Sequence, residues 1–138
     1  MLNNHLEFPL ARDWARVGQW WLDAWQGGDA LLSQDWQRTA VTPGAGAGGA
    51  NYGLGFWLNT GQRIFPGLPE NTFHSGGNSG QFVVVIPDAE LVVVRLGLTL
   101  DESKSAMAPV LVALKDHFVS QAPMPRVASD ARTRVGLE

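Results

Sequence analysis

The 138 residues contain no cysteine, carry a formal charge of −3, and are 45% hydrophobic against 17% charged. That balance fits one ordered globular domain over 1–138 with a single core, and it excludes a disordered chain. The acidic balance leaves no basic footprint for nucleic acid, and the missing thiols exclude disulfides and thiolate metal sites.

Taken in chain order, Met1 to Phe8 read as a frayed start, and Pro9 suits a first helical turn. No basic segment followed by an apolar run opens the sequence, which predicts no secretory signal. From Leu10, apolar residues recur at helical spacing. Leu10, Trp14, Val17, Trp21 and Trp25 fall on one stripe. Ala11, Ala15, Gly18 and Leu22 form a second stripe, mostly of small residues that let a neighbour come close. The shared face of the tryptophans predicts core packing, not ligand stacking. Gly27-Gly28 ends the helix.

Ser33 is an N-cap for a short helix through Trp36. The glycine-rich stretch Thr42 to Ala50 is a loop. It lacks the preceding strand, following helix and lysine that a phosphate cradle needs. Asn51 to Asn59 reads as a strand in which Gly53 and Gly55 clear one face for a close neighbour. Thr60 to Asn71 is a loop carrying Pro66 and Pro69.

The stretch from Thr72 to Gly97 organises the rest. A polar, glycine-dense turn, Thr72 to Gly80, leads into two apolar runs, Gln81–Ile86 and Leu91–Gly97. The four-residue turn Pro87-Asp88-Ala89-Glu90 joins them, a hairpin signal. Neither run alternates, so both faces of the hairpin should be covered. Asp101, Glu102 and Ser103 place acid and a cap before a last helix. Its apolar stripe is Met107, Val110, Leu111, Leu114 and Phe118, and Pro109 must lie in its first turn or kink it. Pro123 and Pro125 stop it, and 123–138 read as a flexible polar tail. The order predicts an α+β domain, an antiparallel sheet packed by helices. The apolar runs are too short to span a bilayer.

Generic site motifs fail. Gly77-Asn78-Ser79-Gly80-Gln81 has Gln81 where a nucleophile elbow needs its second glycine. His5, His74 and His117 share no helical face, so neither a metal nor another cofactor is implied. His74 has two readings. It is either a backbone-bonded residue ending an edge strand or a donor at the mouth of a cleft, able to bind an anion or polarise a carbonyl. Gly76 and Gly77 favour the second, because they let a backbone N–H face a substrate oxygen without side-chain interference.

Three segments, in order, resemble the C-terminal part of the β-lactamase-related serine hydrolases, which include class C β-lactamases, DD-peptidases and related esterases. Ala11-Arg12-Asp13-Trp14-Ala15-Arg16 is similar to a helix start common there. Tyr52-Gly53-Leu54-Gly55-Phe56-Trp57 is similar to the family's Tyr-Gly-Leu-Gly-Trp strand. His74-Ser75-Gly76-Gly77, with Ser79-Gly80-Gln81-Phe82 and the Ile86-Pro87-Asp88 turn, resembles the third catalytic motif, Lys-Thr-Gly in lactamases.

The resemblance implies a partial β-lactamase/transpeptidase-like fold. It implies that His74 and Ser75 line the cleft and orient a small amide or ester substrate, and that Gly77 supplies an oxyanion-hole N–H. It implies no compartment, since members are periplasmic or cytoplasmic. The sequence departs from the family in having neither Ser-x-x-Lys nor Tyr-x-Asn. A nucleophile-free wall of such a hydrolase, without acyl-transfer activity of its own, is the expectation. The alternative is a non-catalytic binding or assembly module, a homo-oligomer formed through an exposed sheet edge. A Trp-rich carbohydrate binder is a third reading, and the shared Trp stripe argues against it.

Overall fold

A computed structural model describes residues 9–28, 31–45, 49–99 and 104–121. The frayed start at Met1–Phe8, the acidic cap at Asp101–Ser103 and the tail at 123–138 lie outside the described residues.

The first helix, α1 (Ala11–Trp25), starts where the Asp13 carboxylate accepts the Leu10 N–H at 2.9 Å. An acid in the first turn also complements the helix dipole. The expected burial is corrected here. Gly18, Leu22 and Ala24 are buried, whereas Leu10, Trp14, Val17 and Trp25 stay 69%, 40%, 46% and 39% exposed. The stripe of small residues, not the stripe of large ones, rests on the sheet. The reason is Gly18, whose bare backbone lets the helix settle against Val83 and Val92. The bulky residues are then left on the flank. Of that stripe, Trp21 packs deepest, with ring centroids 4.5 Å from Phe56 and 6.4 Å from Phe73, while the more exposed Trp25 stands 6.1 Å from Phe73.

Helix α2 (Gln34–Ala40) is capped by the Ser33 hydroxyl, which accepts the Trp36 N–H at 3.3 Å. It runs past the predicted end at Trp36, and its Trp36 ring stands 6.1 Å from Trp21.

The predicted strand over 51–59 is shorter than expected. Strand β1 is Trp57–Leu58, and the residues before it fold into a tight turn. In that turn Gly53 N–H donates to Phe56 O at 2.9 Å and Leu54 N–H donates to Ala40 O at 2.8 Å. Gly53 is needed because a Cβ there would overlap the Ala40 carbonyl oxygen. Gly55 is needed for a different reason, its φ of 88°.

Asn59 follows β1 and organises the proline loop. Its buried amide donates to Phe65 O at 3.1 Å, Leu68 O at 3.2 Å and Pro69 O at 3.1 Å. Its Oδ1 accepts Phe65 N–H at 2.8 Å and Ile64 N–H at 3.3 Å. One side chain thus satisfies backbone groups that a buried loop would otherwise leave orphaned.

Strands β2 (Phe73–Gly76), β3 (Phe82–Ile86) and β4 (Leu91–Arg95) complete an antiparallel sheet in the order β1-β2-β3-β4. The β3–β4 turn is the expected one. Pro87 opens it, and Glu90 closes it with φ 48° while its N–H donates to Pro87 O at 3.0 Å.

Both faces of β3 are covered, as its unbroken apolar run requires. Phe82, Val84 and Ile86 join Phe65, Leu68, Ala108 and Leu111 on one side. Val85 joins Leu22, Ala40, Phe56, Leu58 and Phe73 on the other. Helix α3 (Ala108–Gln121) closes the first cluster, with Pro109 in its first turn. Its predicted stripe is only partly buried, for Val110 and Phe118 remain half exposed. The architecture is α+β, three helices against a four-stranded antiparallel sheet. No described helix is long and apolar enough to cross a membrane.

Candidate functional site

The turn between β2 and β3 forms one wall of a cleft of about 210 Å³. Ser75, Gly76 and Gly77 come from the end of β2, and Gln81, Phe82 and Val83 from the start of β3. Trp14 of α1 and Leu96, just beyond β4, close it from the helix side and the far strand. The cleft is mainly apolar, with Ser75, Gln81 and the indole of Trp14 as its side chains that carry polar groups. Such a lining suits a small apolar group carrying an acceptor or donor.

The turn itself is held by polar contacts. Asn78 Oδ1 accepts the Ser79 N–H at 3.2 Å, and Ser79 O accepts the Thr99 N–H at 3.0 Å. The Arg95 guanidinium donates to Gly80 O and to Thr99 Oγ1. It also lies 5.9 Å from the Phe82 ring centroid, where a cation is favoured. Arg95 therefore fastens the end of β4 to the turn that shapes the cleft.

The three residues singled out from sequence fare differently. Ser75 lines the cleft, as expected. His74 does not. Successive side chains in a strand point to opposite faces, so His74 turns away from Ser75. It is 1% exposed, with its ring 5.0 Å from Phe65 and 6.1 Å from Phe82. A Cβ on Gly76 would sit 3.4 Å from His74 Cε1, so the imidazole lies beneath the cleft-lining glycine. Neither sequence reading of His74 fits this place. β2 is an interior strand, flanked by β1 and β3, and the residue stands in its middle.

Gly77 lines the cleft, but its N–H is committed, donating to Gln81 O at 2.8 Å. The amide assigned to an oxyanion hole instead continues the β2–β3 ladder around the turn. At φ −99° and ψ 177°, Gly77 has extended backbone that any residue adopts.

Among the described residues, no imidazole, carboxylate or amine belongs to the cleft lining. His117 is exposed on α3, where its Nε2 lies 2.8 Å from the Gln121 amide. The lining therefore offers Ser75 no general base, and an unactivated serine hydroxyl is a poor nucleophile. Among the described residues no group of His, Asp or Glu is placed to hold a metal ion.

Sequence reasoning missed Trp14, Gln81 and Leu96 as lining residues and Arg95 as a clamp. Arg95 left a signal, a lone charge ending an otherwise apolar strand. Gln81 left one too, standing in the Ser79-Gly80-Gln81-Phe82 segment, whereas Trp14 and Leu96 left none, because they lie far from that turn in the chain. No family model matches the chain, and no curated protein matches it.

Proposed function

We propose that this chain is one wall of a β-lactamase-related serine hydrolase. In this reading it holds the acyl side of a small amide or ester in the cleft beside Ser75 and Gln81, and performs no acyl transfer by itself. The observation that carries the reading is a register. Trp57 and His74 are direct cross-strand partners, which brings the last residue of the Tyr-Gly-Leu-Gly-Phe-Trp segment against the first of His-Ser-Gly-Gly. Two segments that resemble one family in sequence thus also meet in space, and the second of them runs on into the cleft.

The chemistry available there is binding. Trp14, Phe82 and Leu96 supply apolar contact, while Ser75 and Gln81 supply hydrogen bonds. The sequence holds no Ser-x-x-Lys, and the described residues of the cleft include no base, so the attacking group is not among them. An enzyme stripped of its nucleophile keeps at most the residual effects of binding and electrostatics.

The test is to present the purified chain with nitrocefin and with a short-chain nitrophenyl ester. Turnover and covalent adduct are followed by absorbance and intact mass, and the backbone amides by NMR. The expected result is no turnover and no adduct, with shifts confined to the amides of Ser75 to Val83. Turnover that survives Ser75→Ala and Ser79→Ala would falsify the nucleophile-free account. Unshifted amides at saturating ligand would remove the binding role.

A further inference from the structure

The described residues include Asn51, Asn59, Asn71 and Asn78, and their surroundings divide them. Asn59 is 1% exposed, and its amide donates to the Phe65, Leu68 and Pro69 carbonyls. Asn71 donates its amide to Asp88 Oδ1 at 2.6 Å, and the next backbone N–H, that of Thr72, donates to Pro69 O at 3.1 Å. After Asn51, the Tyr52 N–H donates to Gly49 O at 3.4 Å, and the Asn51 Oδ1 is buried.

Asn78 differs from them on each count. It is exposed, in the turn between β2 and β3. The residue after it is small. The Ser79 N–H donates to the Asn78 side chain itself, 3.2 Å from Oδ1. Among the described residues nothing accepts from Asn78 Nδ2.

We propose that Asn78 is a site of self-modification, at which the side-chain amide is lost to attack by the backbone nitrogen of Ser79. The bond that forms joins Ser79 N to Asn78 Cγ and closes a succinimide ring. The bond that breaks is Cγ–Nδ2, and ammonia leaves with the proton from Ser79 N. Water is the only co-reactant. It opens the ring at Cγ to give aspartate, or at the Asn78 backbone carbonyl to give isoaspartate, in which the chain continues through Cγ.

Position supplies the reactivity. Asparagine is among the thermolabile residues, and its short side chain bonds neighbouring backbone in turns. Here that bond holds Cγ beside the nitrogen that attacks it, and reacting atoms about 3–3.5 Å apart are in near-attack range. No hydrogen bond of the leaving nitrogen has to break, and solvent reaches the ring to open it.

Both products bear on the cleft. Among the described residues its lining holds no carboxylate, and either product puts one on the turn that joins Gly77 to Gln81. Isoaspartate also adds a backbone carbon between those two residues, whose N–H···O bond at 2.8 Å closes the turn. That bond should then be lost. The proposal does not depend on the hydrolase reading, because it needs only the turn and water.

The test is ageing of the purified full chain at mildly alkaline pH, folded and in urea. Peptide mapping by mass reads each asparagine, and isoaspartyl methyl transfer separates the two products. In the folded chain Asn78 should be lost while Asn51, Asn59 and Asn71 stay intact. In urea Asn59 and Asn71 should react as well. Asn78→Gln should stay unmodified at that position, because its longer side chain does not close the same ring. Asn78→Asp carries the charge without the added carbon. Its Gly77 amide should stay protected from hydrogen exchange, whereas the isoaspartate fraction of the aged chain should lose that protection.

Asn78 that outlasts any of the other three in the folded chain overturns the proposal. So does a folded chain that keeps Asn78 after the urea sample has lost it, because the turn would then shield the side chain. Gly77 protection that survives in the isoaspartate fraction overturns the effect on the cleft wall.

Discussion

Gly18 of α1 and Val92 of β4 touch so closely that a Cβ on the glycine would lie 2.5 Å from Val92 Cγ1, and 2.9 Å from Val83 Cγ1. The helix sits where it does because position 18 has no side chain. Alanine is intrinsically better than glycine in a helix by about 1 kcal/mol. Overpacking against two stiff, β-branched neighbours costs about 1–3 kcal/mol and outweighs that gain. Gly18→Ala should therefore lower the urea midpoint, and the loss should shrink in a Val92→Ala background. An equal loss in both backgrounds would separate the two residues energetically.

Gly53 and Gly77 both belong to segments that read as family motifs, yet they should respond oppositely to substitution. A Cβ at 53 runs into the Ala40 carbonyl, which is backbone and cannot step aside. Gly53→Ala should cost about 3 kcal/mol, the upper end of overpacking. A Cβ at 77 would meet Gln81 Cβ at 3.4 Å, an ordinary contact. Gly77→Ala should change stability by less than about 0.5 kcal/mol. Thermal melts of the two variants make the comparison.

Asn59 ties the loop of Pro66 and Pro69 together through its side-chain amide. Asn59→Ala strands several buried backbone groups at once and should cost on the order of 3 kcal/mol or more. Asn59→Asp should be worse at neutral pH, because it turns a carboxylate toward the carbonyls of Phe65, Leu68 and Pro69. Denaturant curves that rank alanine below aspartate would show that the amide donor is not what closes the loop.

Burial separates His74 from His117 chemically. With 1% exposure, His74 should resist diethyl pyrocarbonate in the folded chain, while exposed His117 reacts readily. Peptide mapping reads both sites in one sample. Fast modification of His74 under native conditions would mean that its cover of Phe65 and Phe82 opens often.

The sequence made one half of the sheet legible. An unbroken apolar run, a Pro-Asp turn and a second run could hardly be other than the hairpin of β3 and β4. The helix C-terminus at Gly27 and the Ser33 cap were legible for the same reason, since each is a local signal with a local cause.

The facing of α1 was not legible. A stripe of tryptophans and a stripe of small residues compete for the sheet, and the winner depends on how close the sheet can come. That distance is set by Val83 and Val92, which lie far off in the chain. His74 and Gly77 failed for a related reason. Motif reading names residues, but the alternation of β2 and the ladder to β3 decide which side chain faces the cleft and which amide is already taken. Asn59 left no pattern at all, because its partners are backbone atoms of a loop.

The sheet behaves as a bulkhead. On one side of it Phe65, Leu68, Phe82, Val84 and Ile86 pack with α3, and on the other Leu22, Ala40, Phe56, Phe73 and Val85 pack beneath α1. The two compartments have no residue in common. A breach on the α3 side, from oxidation of Met107 or fraying of the last helix, should therefore loosen that half while the tryptophan side stays dry. Partial failure is written into the layout, and Phe82, which belongs to the α3 side and also lines the Ser75 cleft, is where such a failure would reach the cleft.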